Sequence, residues 1–357
     1  MENRGLLFIP DISGFTRFVT DTEIEHSRLI IQELLEVLID SNQLDLKISE
    51  VEGDAILFYK YGDSPDLQTL YKQVENMFRA FHRSLNVYDY RRFCYCKACN
   101  AAVNLSLKII THYGEFTGYT IQNFNKLIGK DVIVAHQLLK NDIPQHEYWL
   151  ITDNIVQDNK PKDFTNWMEW NSSAKKTESG EITFHYTQLS QLKNELYTDP
   201  LPQLTLSDKK KIASASKEYD RNIITLFHAA GDFNLRDRWQ EGVKAIEQVT
   251  HLLPRIGMRC RRIMKNGQDA IYITSYSYHP DKIEFSETEE NNKNTWYYTL
   301  EKIDADKTRL TIDYYLPKTF RTWLFAMREK NKAEAYLKKS LENLIQLAKE
   351  IKEADEP

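Results

Sequence analysis

Two aspartates, each followed or preceded by small turn-forming residues, are the groups in this chain best suited to chemistry. The first stands in Asp11-Ile12-Ser13-Gly14-Phe15-Thr16, just after the apolar run Leu6-Leu7-Phe8-Ile9. The second is Asp54 in Glu50-Val51-Glu52-Gly53-Asp54-Ala55. A carboxylate at a strand end can hold a hard divalent cation against a phosphate. Two such carboxylates meeting from adjacent strands make the smallest Mg²⁺ or Mn²⁺ site able to clamp a triphosphate. Each segment also has a purely structural reading: Asp11 as a cap on the following helix, Gly53-Asp54 as a hairpin turn.

Sulfur supplies the second candidate. Cys94, Cys96 and Cys99 fall within six residues, while Cys260 stands alone. Three thiolates need a fourth donor for a tetrahedral zinc site, from His82, His112 or a second subunit. The alternative is a set of buried structural thiols where the chain enters a strand. Four cysteines are too few for a disulfide scaffold, and a reducing compartment would leave them as thiols.

The elements that must position these groups read as strand and helix in alternation. Residues 6–9 form a strand ending at Pro10, and Thr20 or Thr22 caps a helix carrying Ile24, Ile31, Leu34, Leu35 and Leu38 on one stripe. Residues 47–59 read as a hairpin with 55–58 its second strand. Ser64-Pro65 opens a helix through Phe78 and Phe81 towards Leu85. Residues 105–110 form another strand, 88–99 an insertion before it, 171–180 an exposed loop, and 183–188 a last strand. Pro200, Pro202 and the run Lys209-Lys210-Lys211 mark a linker, the lysines being either solvated or a small nucleic-acid patch.

The ordered motifs of the first half resemble the class III nucleotidyl cyclase domain of adenylyl and guanylyl cyclases. The resemblance covers residues 6–139, with a weaker continuation to about 189. Its signatures are Phe8-Ile9-Pro10-Asp11-Ile12-Ser13-Gly14-Phe15-Thr16, then Glu50-Val51-Glu52-Gly53-Asp54-Ala55. Ile109-Ile110-Thr111-His112-Tyr113-Gly114-Glu115 and Leu127-Ile128-Gly129-Lys130-Asp131-Val132-Ile133-Val134-Ala135 follow. The resemblance implies that Asp11 and Asp54, with the Ile12 carbonyl, bind two Mg²⁺ or Mn²⁺ ions, and that Phe15, Glu50 and Lys126 contact a nucleoside triphosphate. It also implies a homodimer, because the family builds its site between two such domains. The family's ribose-orienting Asn and transition-state Arg are replaced here by Ile133 and Gln137. Losing a cation at developing phosphoryl charge costs orders of magnitude in rate, so the domain reads as degenerate. His136, Lys130 and Arg17 are the substitutes an active enzyme would recruit. Glu50 and Lys126 either read a base, pair with each other or face solvent.

The second half, from residue 219, reads as antiparallel strands at 271–278, 295–303 and 309–316. A closing helix at 333–351 carries Leu337, Leu341, Leu344, Ala348 and Ile351 on one face. With Trp239-Gln240-Glu241-Gly242-Val243 after the opening strand, this layout is similar to the START-like helix-grip domains. That resemblance implies an apolar ligand between sheet and helix. Trp239, Tyr276, Tyr278, Trp296, Tyr298 and Tyr314 either line such a pocket or are plain packing.

The chain is long enough, at 357 residues, for two cores. Hydrophobic residues at 41% and charged residues at 28% are the balance of a folded protein rather than a disordered one. A net charge of −5 argues against nucleic acid as partner, and no apolar run approaches the roughly 18 residues of a membrane span. Met1 to Gly5 lack the pattern of a signal peptide, which points to a cytoplasmic, bacterial protein. The expected fold class is α+β: a ferredoxin-like class III cyclase catalytic-domain fold over 1–200, a linker at 201–218 and a START-like domain at 219–357. The expected function is a sensor or regulator that binds nucleotide or metal without turnover. The alternatives are an active cyclase and an interaction module held by zinc.

Overall fold

The computed structural model describes residues 3–351 apart from 95, 123, 157–160, 162–163, 178–179, 198–199, 248 and 266. The chain divides into two compact units, one of residues 1–90 and 97–198, the other of 91–96 and 199–357.

Unit one is a seven-stranded mixed sheet. Its strands in chain order are β1 (Arg4–Ser13), β2 (Lys47–Glu52), β3 (Ala55–Tyr61), β4 (Ser106–Glu115), β7 (Tyr148–Thr152), β8 (Asn171–Thr177) and β9 (Gly180–Gln188), with β5 (Thr117–Ile121) and β6 (Phe124–Ile128) forming a separate hairpin. The order across the sheet is β2-β3-β1-β4-β7-β9-β8, and only β4 and β7 run parallel. The helices are α1 (Phe15–Asp21), α2 (Ile24–Asp40), α3 (Leu67–Tyr90), α4 (Lys97–Ala101), α5 (Lys130–Leu139) and α6 (Asp153–Val156).

β1 lies third in the sheet and is buried from Gly5 to Ser13, which explains its unbroken apolar run: both faces are covered. Leu7 and Ile9 share a core with Val134 and Leu138 of α5, and by alternation Leu6 and Phe8 face the other way, also fully buried. The strand does not stop at Pro10. Its ladder to β3 pairs Phe8 with Phe58 and then Asp11 with Ala55, so the proline, which has no N–H to give, falls in the gap. That extension carries Asp11 inside the sheet.

Three further sequence expectations are corrected. Thr20 and Thr22 do not cap α2: they lie in or beside the short helix α1, their hydroxyls bonded to the carbonyls of Thr16 and Phe18, and Glu23 takes the cap position with no side-chain bond. α3 begins at Leu67 rather than at Pro65, with Asp66 accepting from the Thr69 backbone N–H at 2.9 Å. Residues 171–177 are strand β8, an exposed sheet edge whose polar side chains leave no alternation to read.

Unit two is a seven-stranded antiparallel sheet of β10 (Lys209–Tyr219), β11 (Val243–Glu247), β12 (Arg259–Met264), β13 (Gly267–His279), β14 (Lys282–Glu289), β15 (Thr295–Asp304) and β16 (Lys307–Pro317). Their order is β10-β16-β15-β14-β13-β12-β11. α7 (Ile223–Gly231), α8 (Arg236–Trp239) and the long α9 (Phe320–Glu350) complete it. The lysine run expected in a linker is the start of β10, where a register shift between Lys211 and Ala213 breaks the alternation that would have marked a strand. Leu337, Leu341, Leu344, Leu347 and Ala348 of α9 enter the core with Phe285, Tyr298 and Ile312 of the sheet. Of the six aromatics singled out, Trp239, Trp296 and Tyr298 are buried in that core, and Tyr276, Tyr278 and Tyr314 pack against it.

Candidate functional site

Asp11 and Asp54 meet because β1 and β3 are antiparallel neighbours. Asp11 pairs with Ala55, and the Ile12 N–H donates to the Asp54 carbonyl at 2.9 Å. Gly53, at φ +60°, turns the chain between β2 and β3 and so places Asp54 beside the end of β1. Both carboxyls open into one cavity of 930 Å³, lined also by Phe15, Glu50, Ile133 and Gln137. Asp11, Asp54, Phe15 and Glu50, all singled out in the sequence, are thus brought to one cavity.

It missed Lys108. This residue lies on β4 directly across from Asp11, and its ammonium stands 3.3 Å from Asp11 Oδ1 while donating to the Leu139 carbonyl at 3.2 Å. Burial pushes the Asp11 carboxyl up to about 6, with Lys108 pulling it down and Asp54 pushing it up by less. Burial also raises Asp54. The oxygens of Asp11 and Asp54 are donors of the kind Mg²⁺ or Mn²⁺ takes. One positive charge, however, is already supplied against them by the protein.

On the far side of the cavity Glu50 is engaged twice, by an ion pair with Lys126 and by His136 Nε2 at 3.4 Å. Of the sequence readings for Glu50 and Lys126, mutual pairing is what the structure shows. Ile133, on α5, is 55% exposed and offers no hydrogen bond. Gln137, one turn further, lines the cavity, and its Oε1 is buried with no hydrogen-bond partner among the described residues.

The third and fourth motifs hold α5 in place. His112 Nδ1 is 2.8 Å from Thr152 Oγ1 and its Nε2 is 3.0 Å from Asp131 Oδ1, while Asp131 Oδ2 accepts from the Glu115 N–H. Burial works to raise Asp131, but these bonds win and hold it below the usual carboxylate range. Gly114 makes this clamp possible, since a Cβ there would lie 2.2 Å from Asp131 Cγ. His112 is therefore committed to α5, and His82 sits beside Glu147 at 3.9 Å, so neither serves the cysteines. The imidazole beside them is that of His26 on α2, with Nδ1 3.7 Å from Cys99 Sγ. Within unit one, His26 and Cys99 are thus a pair with donors of the kind zinc takes. His26 escaped the sequence reading because only the start of α2 brings it there.

A family described as "Protein of unknown function (DUF2652)" matches residues 31–148. An uncharacterised protein of Mycobacterium tuberculosis is 33% identical over 127 residues, 35% of this chain; the chain spans 58% of that relative's length. Among solved structures, the catalytic core of a rhodopsin-guanylyl cyclase in complex with ATPalphaS is similar at 14% identity and a TM-score of 0.37, covering 52% of this chain and 96% of that one. The guanylate cyclase domain from Catenaria anguillulae in complex with GTP matches at 13% identity and a TM-score of 0.36, with 52% and 97% covered. An adenylyl cyclase from P. aeruginosa matches at 14% identity and a TM-score of 0.34, with 52% and 94% covered. Likeness at this level assigns no activity by itself. No helix among the described residues is long and apolar enough to cross a membrane.

Proposed function

We propose that unit one is a class III cyclase-like domain that holds a nucleoside triphosphate without turning it over, in a protein that acts as a sensor or regulator. The observation that carries this reading is the convergence of Asp11, Asp54 and the unpartnered Gln137 Oε1 on one cavity of 930 Å³, a volume suited to a nucleotide. A buried carbonyl oxygen without a donor is costly, and a ligand N–H or O–H would satisfy it. Turnover is another matter. The positions that carry a hydrogen-bonding Asn and a cationic Arg in the cyclases hold Ile133 and Gln137, so neither the ribose nor the developing phosphoryl charge meets its stabilising partner. Unit two, an antiparallel sheet with a long helix, is proposed as the START-like part, with an apolar small molecule as its ligand class. The assembly is proposed as a homodimer through unit one, with Mg²⁺ or Mn²⁺ the ions to test at Asp11 and Asp54, and zinc on the protein's thiols to be checked by elemental analysis.

Thermal melting of the full chain with each nucleoside triphosphate tests this. A rise of several degrees at about 100-fold excess over Kd is expected for one of them, together with recovery of the intact triphosphate. No rise with any triphosphate overturns the reading. His136 and Lys140 both line the cavity and favour a second reading, an active cyclase that uses them in place of the lost arginine. Its signature is a cyclic nucleotide in the mass spectrum that disappears in Asp54→Asn.

A further inference from the structure

We propose that Lys108 is a built-in cation that holds the position of a divalent ion at Asp11, so that unit one takes up its anionic ligand without metal. This rests on the reading of the cavity as a phosphate-ligand site and specifies how that site is charged.

The argument starts from the register. β4 crosses β1 with Lys108 opposite Asp11, one residue before the apolar run Ile109-Ile110. Its side chain is 16% exposed and that of Asp11 11%, so the pair lies within the protein rather than on a solvated rim. The ammonium is held at both sides: Asp11 Oδ1 lies 3.3 Å away and the Leu139 carbonyl at the end of α5 accepts from it at 3.2 Å. A second anchor of this kind fixes the charge where a freely rotating lysine would leave it in water. Lys108 also lines the cavity into which Asp11 and Asp54 open.

An ion bound between Asp11 and Asp54 would have to displace that ammonium or sit against it, and like charges at such separations repel strongly in a partly dry site. Conversely, an ammonium is a point charge with three donors, a recognised phosphate partner, and Lys108 has a donor left over after Asp11 and Leu139. Asp11 then serves to hold a lysine. A divalent ion becomes unnecessary for binding, while the activation of a ribose hydroxyl that such an ion would supply is forgone.

The test uses Lys108→Gln, which keeps a donor to Asp11 and to the Leu139 carbonyl while deleting the charge. Free Mn²⁺ is followed by its electron paramagnetic resonance signal as full-length protein is added, with a thermal melt confirming that each variant is folded. Wild type is expected to bind Mn²⁺ in the cavity at least about tenfold more weakly than Lys108→Gln, whose site is abolished again when Asp54→Asn is added. Equal Mn²⁺ affinity in wild type and Lys108→Gln overturns the proposal. In parallel, wild type should bind its triphosphate equally well in EDTA and in Mg²⁺, and Lys108→Gln should need the metal. Triphosphate binding by wild type only with Mg²⁺ overturns the proposal but leaves the nucleotide reading standing. A Mn²⁺ site tightened in Lys108→Gln, with no triphosphate bound by either protein, sinks the nucleotide reading and upholds the lysine as the ion's replacement. Should Lys108→Gln fold poorly, Lys108→Met at 4 °C gives the same Mn²⁺ comparison.

Discussion

A single buried imidazole illustrates how far individual residues set the behaviour of unit one. His82 is packed against Phe78 and Phe81, with ring centroids at 4.3 and 5.2 Å, and its Nε2 has no hydrogen-bond partner. Burial pushes its pKa down to about 4, against the attraction of Glu147. Because the folded value lies below the unfolded one near 6.5, the unfolded chain binds more protons between them. Stability is therefore complete above about pH 6.5 and falls as the pH drops towards 4, by roughly 2–3 kcal/mol. Glu147 is held below its usual range by Lys193 and Ser190 despite burial, so its own contribution is lost only at lower pH. Denaturant titrations across this range should show wild type losing stability relative to His82→Leu as the pH falls, the raised Asp11 and Asp54 carboxyls acting in the opposite sense but equally in both proteins; a difference between the two that does not change with pH would refute the assignment. Residue types were legible in the sequence where chemistry demanded them, as with Asp11 and Asp54. Lys108 and His26 were not, because each acquires its role only from a partner far away in the chain.

The pairing of β1 with β3 decides whether the two aspartates share a cavity at all, and one glycine sets the distance. At Gly5 an added Cβ would lie 2.3 Å from the Lys60 carbonyl oxygen and 2.9 Å from the Tyr61 Cα, both backbone atoms of β3 that cannot rotate aside. Gly5→Ala should therefore cost about 3 kcal/mol by urea denaturation, at the upper end of what overpacking does, by prying the strands apart. Where the variant still folds, its triphosphate binding should weaken with no change to Asp11 or Asp54 themselves. Wild-type stability in Gly5→Ala would refute this account of the strand pairing. The central strands and long helices were readable, since their apolar runs and stripes are long. β8 and the start of β10 were not: one is an edge whose sole apolar residue is Ala174, the other is interrupted by a bulge, and both lack the periodicity that reveals an element.

At the scale of the whole molecule, the chain passes between its two units at 90/91, 96/97 and 198/199, so unit one is built from two separate stretches. Composition and length foresee two cores but not this interleaving, because no linker chemistry marks the short segment 91–96. Unit two also keeps a buried Arg236–Glu287 pair that shares Tyr298, with both charged side chains fully enclosed. Truncating one partner of such a pair typically costs about 3–5 kcal/mol, so a polar interior of this kind is kept only with its partners in place. Unit one poses the opposite case, apolar groups left in water. The β5–β6 hairpin shows Tyr119, Ile121 and Ile128 to solvent at 43%, 58% and 58%, and Ile133 beside the cavity is exposed as well. Such a cluster on a hairpin that pairs with no other strand is the kind of surface a second copy covers. Sedimentation equilibrium of the full chain should give a dimer at micromolar concentration, and Ile121→Asp with Ile128→Asp should shift it to monomer with its melting temperature unchanged, since neither side chain supports the core. If the dimer closes the cavity, the monomeric variant should also bind triphosphate more weakly. A wild type that sediments as monomer at tens of micromolar would remove the homodimer and leave each cavity to work alone.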